Sequence, residues 1–342
     1  MVRFDRLIRR GSAAVAVAAL AATLLSVTST PAGAVVAPVV TKATWTFTVT
    51  AVVPSDMVTK YGGLSALTTL VRNQVAAVNS TFNTSLASSE FKFSLVSVRT
   101  YSVAATTEVS LPHPGSDLRL VYEENPADQG GWFGTYQSIL HNWTFENEGD
   151  FSTNATDGLT HEFGHFRGAV DEYGEQVAAA SNPVNGTMFT APVGIMNNPY
   201  GVHTWSIYSE DIIRASAAKV YSGAPIVDES FPAALRVRVL NARLKPVLGA
   251  KVALFGVTWF SNSVTSTPVM QGKTAAIGYF QMPRNPFAPR SVGKPWNLAY
   301  ANFLVRVTYG KTVKYLWMPL TTVGAAYFSA PTKPFLMTFR VP

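Results

Sequence analysis

The spacing of apolar and polar positions divides the chain into regions of different rhythm. In Thr44–Val53, TWTFTVTAVV, aromatic and β-branched residues alternate with threonine, which predicts a strand. Within 61–82, Leu64, Leu67, Leu70, Val71, Val75 and Val78 recur at helical spacing. Phe91–Val98 and Leu118–Tyr122 again have strand character, so the first part runs strand, helix, strand, strand, an α/β pattern. Residues 125–158 are rich in Gly, Asn, Asp and aromatics and keep no period. They predict long loops around a short strand near Trp132–Ile139. A helix is expected over 158–168. A turn-rich stretch follows over 174–206, marked by Asn182-Pro183, Asn185-Gly186 and Asn198-Pro199. A second amphipathic helix is expected over Ile207–Tyr221. From Ala234 the helical period disappears. LRVRVL, AKVALFGV, GYFQM, NFLVRVTYG, KTVKYLWM and FLMTFRV are separated by turn residues. That spacing predicts an all-β sandwich of about 110 residues, joined through a linker near Ser222–Pro232. The expected divisions are 35–225 and 233–342.

The start of the chain follows another logic. Arg3, Arg6, Arg9 and Arg10 precede an almost wholly Ala, Val and Leu run from Ser12 to Val27. Small residues then stand at Ala32 and Ala34. This predicts a secretory signal peptide over 1–34, cleaved after Ala34. The run is shorter than the ~20 residues a spanning helix needs, so a secreted protein without stable membrane insertion is expected.

Residues 1–34 hold four arginines and Asp5, a net +3 of the chain's +7, which leaves +4 over the remainder. No block of Lys or Arg stands out, so a nucleic-acid partner finds no support. The chain has no cysteine. Disulfide staples and thiolate chemistry are therefore excluded, and any metal site must use His, Asp or Glu. A cysteine-free exported chain with this signal suggests a bacterial source.

The chemistry concentrates in Leu159–Tyr173, LTHEFGHFRGAVDEY, which holds two of the five histidines. On a helix, His161 and His165 face the same way, and both rings can reach one ion about 2 Å from each nitrogen. Glu162 leans over the same place and can act as general base. His-Glu-x-x-His thus supplies two ligands and a base. Gly168 stands where the helix must stop, because glycine takes the left-handed conformation that turns a chain back. Asp171 follows after three more residues and can return a third ligand. Glu172, one residue on with a longer arm, stays an alternative.

His161-Glu162-x-x-His165-x-x-Gly168-x-x-Asp171 resembles the metzincin zinc peptidases, in the version with Asp for the third His found in secreted neutral proteases of the snapalysin type. The wider string HEFGHFRGAVDEY also resembles bacterial IgA-cleaving zinc peptidases and the protease domain of calcium-activated chloride channel regulators. Some of those carry an extra residue before the Asp, which is absent here. About 40 residues carry the resemblance tightly. It implies an α+β metzincin-like catalytic domain, a twisted mixed sheet with the active-site helix, holding one catalytic Zn²⁺. It also implies a methionine turn under the ion, for which Met196 in Gly194-Ile195-Met196 is the candidate. The tyrosine that some members carry two residues after that methionine is not matched, since position 198 is Asn. The C-terminal strings resemble prealbumin-like or carboxypeptidase-regulatory-like modules with an immunoglobulin-like sandwich.

The expected activity is hydrolysis of peptide bonds in extracellular proteins or peptides, a secreted metalloendopeptidase. The alternative from another class is a secreted adhesion or binding protein whose peptidase-like domain does not cleave. Other zinc peptidases take a distant Glu from a following helix, for which Glu210 is placed. His113, His141 and His203 are single loop histidines. Gly130–Gly134 could shape a cleft edge. Asp128, Glu148 and Asp150 could hold structural Ca²⁺, although nothing in their pattern asks for it. Trp259, Phe260, Trp296 and Trp317 of the C-terminal domain are expected mostly in its core, with a face for protein or glycan binding as the alternative.

Overall fold

Strand β1 (Ala43–Pro54) is an interior strand of the first sheet of the computed structural model. The structure describes residues 43–86, 89–101, 115–123, 132–135, 142–147, 155–218, 231–259, 261–287 and 299–342. The expected signal peptide, the leader 35–42, most of the linker, Gly130-Gly131, His113, His141, Asp128, Glu148, Asp150, Phe260 and Trp296 lie outside these residues.

From β1 the chain passes through α1 (Ser55–Lys60) and α2 (Leu64–Phe82) and returns as β2 (Ser89–Tyr101), parallel to β1. With β3 (Leu118–Glu123), β4 (Trp132–Thr135) and β5 (Asn142–Asn147) the sheet order is β2-β1-β3-β5-β4. All pairs are parallel except β4 with β5, so β4 ends the sheet as an antiparallel edge. The helical stripe seen in sequence, Leu67, Val71, Val75 and Val78, is buried in one core with Phe47, Phe91 and Phe93 of the sheet. Helix α3 (Ala155–Phe166) adds Phe163 and Phe166 to that core and packs beside α2, β5 and β4. Ile195, Met196 and Trp205 close it from the turn-rich stretch before α4 (Ile207–Ser216). Strand β5 is not anticipated by the sequence pattern. Its six residues, NWTFEN, include two Asn and a Glu, and parallel pairing with β3 supplies what propensity does not.

The second half contains β6 (Leu235–Leu240), β7 (Lys251–Thr258), β8 (Ser263–Val264), β9 (Met270–Lys273), β10 (Tyr279–Gln281), β11 (Tyr300–Tyr309), β12 (Thr312–Pro319) and β13 (Phe335–Arg340). They form a three-stranded sheet, β10-β6-β13, and a larger one, β12-β11-β7-β8, with β9 also on β7. Val237 and Phe339 of the first share a buried core with Val252, Leu254, Phe303 and Val305 of the second. Strand β7 is apolar on both faces. Its other face, Ala253, Phe255 and Val257, is covered by Val177 with Val184 and Phe189, which lie just after the histidine helix in sequence.

The expectation of an all-β second half is corrected here. Leu320–Ser329, LTTVGAAYFS, is a helix, α5. It has β-branched residues, a glycine and no charge, so propensity argues against it. It forms because α4 packs against it, with Ile212 of α4 buried with Phe328 of α5. The architecture is mixed α+β with several sheets, and Thr41–Pro342 form one compact unit. No helix among the described residues is long and apolar enough to cross a membrane.

Candidate metal centre

Helix α3 ends in a Schellman turn. The Ala169 amide donates to Gly164 O (3.0 Å) and the Gly168 amide to His165 O (2.9 Å), with Gly168 left-handed at φ 88°. The carbonyl of Ala169, turned back by this motif, accepts from His165 Nδ1 at 2.8 Å. The device that stops the helix therefore also fixes the second histidine, and it points Nε2 away from the backbone.

The first histidine is fixed from elsewhere. His161 Nδ1 donates to Ile195 O at 3.1 Å. Ile195 lies in the turn Gly194–Asn198, where the amides of Asn197 and Asn198 both donate to Gly194 O (3.0 and 2.9 Å). Met196, the methionine-turn candidate, is fully buried in that turn. Its Sδ lies so close under α3 that a Cβ at Gly164 would come within 2.8 Å of it and within 2.9 Å of the Trp205 ring. Gly164, one residue before His165, lets the turn reach the helix. A glycine inside a helix is the sequence signal for such an approach.

With both Nδ1 atoms engaged by carbonyls, the Nε2 atoms are the ring positions that face the centre. They converge on one oxygen. Asp171 Oδ1 lies 2.9 Å from His161 Nε2 and 3.1 Å from His165 Nε2. These three residues form a group that could hold a metal ion, with donor atoms all within 4.8 Å of one another. Three acceptors facing one point need a cation or a proton between them, and about 2 Å bonds in tetrahedral geometry separate neighbouring donors by about 3.3 Å. The backbone carbonyls behind the rings are the outer contacts that metal-binding histidines use to fix ring orientation. Burial acts to raise the Asp171 carboxyl pKa, but the His165 charge and the contacts with both imidazoles outweigh it and hold it well below the usual carboxylate range.

Glu172 points elsewhere. Its Oε1 accepts from the hydroxyls of Ser206 and Ser209, the latter at 2.8 Å, at the N-terminus of α4. Burial raises its pKa against those hydrogen bonds. Glu210 pairs with Arg214 at 3.7 Å and is not in the histidine group. His203 is exposed and pairs with Asp157 at 3.2 Å, at the start of α3. Glu162 is buried, 6% exposed, and its charge is felt by Tyr173.

Tyr173 was given no role from sequence, yet it belongs to this centre. Its ring stacks on His161 (centroids 6.1 Å apart, planes 16° apart) and its hydroxyl bonds the Asp171 carboxylate. Burial, then the Asp171 charge and that hydrogen bond, push its pKa far up, so it is a neutral donor. Its place two residues after Asp171 in Asp-Glu-Tyr was the available signal.

No protein-family model matches the chain, and no curated protein matches it. Among solved structures it is similar to a "Structure of a chaperone-substrate complex", at 19% identity and a TM-score of 0.35, over 53% of this chain and 36% of that one. This chain thus spans about a third of that structure's length, and so slight a likeness carries no argument about function.

Proposed function

We propose that the protein is a secreted zinc-dependent endopeptidase of metzincin type, with the C-terminal sheets forming an immunoglobulin-like sandwich. The observation that carries this reading is the convergence of two fixed imidazole Nε2 atoms and one carboxylate oxygen within 4.8 Å of one another. Two imidazoles and a carboxylate suit zinc and other first-row divalent ions. What favours hydrolysis is a buried carboxylate, Glu162, next to His161 on the same helix.

His161 Nε2, His165 Nε2 and Asp171 Oδ1 would hold the ion. Zinc bound there supplies a Lewis acid that polarises a carbonyl and eases loss of a proton from water. Glu162 takes that proton as the water oxygen bonds to the carbonyl carbon. The C–N bond then breaks, and Glu162 returns the proton to the leaving nitrogen. Tyr173 restrains Asp171 through its hydroxyl and the His161 ring by stacking. Strand β4 ends the sheet next to α3, and an extended peptide laid along that edge gains backbone pairing with little side-chain selection.

The test is zinc content by elemental analysis together with casein or gelatin cleavage, with and without a chelator. One zinc per chain and chelator-sensitive cleavage are expected. Glu162→Gln should keep the metal and lower turnover by about 10²–10⁴-fold. Zinc with no cleavage of either protein would favour the non-cleaving binding protein. No zinc would end the reading.

A further inference from the structure

The segment that carries Asp171 is not regular structure. After the Schellman turn it forms a 3₁₀ turn, Glu172–Glu175, and then leaves as a bridge between Val177 and Phe189. Its own half contributes hydrogen bonds from the turn around Met196 and the start of α4: the Glu172 amide donates to Met196 O (3.0 Å), and the hydroxyls of Ser206 and Ser209 donate to Glu172. Gln176 Nε2 also donates to Asn197 Oδ1 of that turn at 2.7 Å. Further contacts come from the C-terminal half. Asn262 Nδ2 donates to both Tyr173 O (2.8 Å) and Gln176 O (2.9 Å). Asn302 Nδ2 donates to Glu175 O at 3.1 Å. Glu175, fully buried, accepts at Oε1 from the Thr321 amide (2.7 Å) and from the Thr321 hydroxyl. Trp259 lies against Gly174, where a Cβ would come within 3.2 Å of its ring.

Each donor is aimed by a local departure from regular structure. Asn262 sits in the β7–β8 turn with φ 50°, a left-handed position that Asn tolerates. Asn302 sits at a register shift in β11, where a bulge redirects a side chain. Helix α5 begins after Pro319 with no side-chain cap of its own, and Glu175 serves its N-terminus. Three independent irregularities that meet on six residues of another segment are a built contact.

We infer that Asn262, Asn302 and Thr321 are positioning residues of the metal centre, so that the C-terminal half holds Asp171 and Tyr173 in place rather than acting as a separable binding module. This rests on the centre being a metal site; it does not need peptide cleavage. Outer contacts of this kind change metal affinity by about 10–100-fold when removed.

The experiment uses the full chain and measures zinc affinity by competition with a chromophoric chelator, beside thermal unfolding of the metal-free protein. Asn262→Gly keeps the left-handed backbone and removes the amide. Thr321→Val removes only the hydroxyl, and Thr321→Ser restores it. Val237→Ala, in the shared core away from the clamp, is the control for simple loss of stability. At least tenfold weaker zinc binding is expected for Asn262→Gly and Thr321→Val, recovery for Thr321→Ser, and a change under threefold for Val237→Ala. Unchanged affinity in both clamp variants, or equal loss in Val237→Ala, would overturn the inference while leaving the metal site intact. Wild-type protein that binds no zinc would remove both. If Asn262→Gly does not fold, the Thr321 pair decides alone.

Discussion

The two histidines and the aspartate of the centre are held by different means. His161 and His165 stand on a regular helix, and each ring is fixed by one backbone carbonyl, from Ile195 and Ala169. Asp171 stands on a segment whose carbonyls at 173, 175 and 176 are all taken by side chains from the second half of the chain. Glu172 and Glu175, three residues apart, serve the N-termini of α4 and α5, and those helices pack on each other. The helix side is local and periodic. The aspartate side is assembled from contacts far apart in sequence. On the inference above, the aspartate side of the centre depends on residues near 262 and 321, which lie far from 161 in sequence.

The largest expected effect separates Asp171 from its neighbour. On the proposed zinc reading, Asp171→Ala should lose zinc by more than about 10²-fold, because a proposed ligand would be removed outright and not merely reoriented. Glu172→Ala should keep most of the zinc and lose stability instead, since Ser206 and Ser209 lose a buried acceptor, a loss of about 1–3 kcal/mol. Elemental analysis and thermal unfolding of both variants check this. Zinc lost from Glu172→Ala and kept by Asp171→Ala would reverse the assignment of the two acids.

That contrast also explains what could be seen without a structure. The helix, its two histidines, the glycine stop and the spacing to Asp171 follow from period and turn chemistry, which are local. Spacing from Gly168 favours Asp171 over Glu172, but reach alone does not separate them. The choice turns on two serines more than 30 residues away, which no spacing rule connects to an acid at 172. Tyr173 was passed over for the same reason, since its stacking on His161 depends on how the segment folds back. Helix α5 was missed because its sequence has no polar face. Its lack of charge suits burial against α4, and that is a tertiary fact. Strand β7 shows the converse: its unbroken apolar run was seen as a strand, but what covers its second face, residues 177–189, was not.

A separate effect, on stability and not on zinc, comes from Glu175. Burial, with the nearby Glu172 and Asp171 charges, pushes its pKa from 4.5 up to about 8, against the Thr321 hydrogen bonds, which favour the charged form. Its Oε2 has no hydrogen-bond partner among the described residues and is where a proton would sit. The folded chain then holds a proton that the unfolded chain releases between about pH 4.5 and 8. This contribution to stability is complete below pH 4.5 and is lost as pH rises through 8, at up to about 1.4 kcal/mol per pH unit. Glu175→Gln cannot ionise. Denaturation of the metal-free proteins from pH 5 to 9 should show the wild type falling relative to Gln until about pH 8, then running parallel. Parallel curves throughout would mean that Glu175 is charged in the fold. That would leave Thr321 holding an anion at the start of α5 and make the clamp electrostatic.

The smallest effect tests the local side. Gly168→Ala puts a Cβ on a left-handed residue, φ 88°, which costs about 1–2 kcal/mol. Gly168→Asn should cost less, because Asn enters that region more readily. For a purely local stop signal the result would be a lower melting temperature and unchanged zinc affinity. But the same turn sends the Ala169 carbonyl back to His165 Nδ1, so backbone strain there reaches a ligand directly. Both quantities should therefore fall together in Gly168→Ala, with Asn between Ala and wild type. Stability that falls while zinc affinity holds would show that His165 keeps its orientation without the turn. The histidine side would then be more tolerant than the aspartate side, and the burden of shaping the centre would rest mainly on the contacts from the second half of the chain.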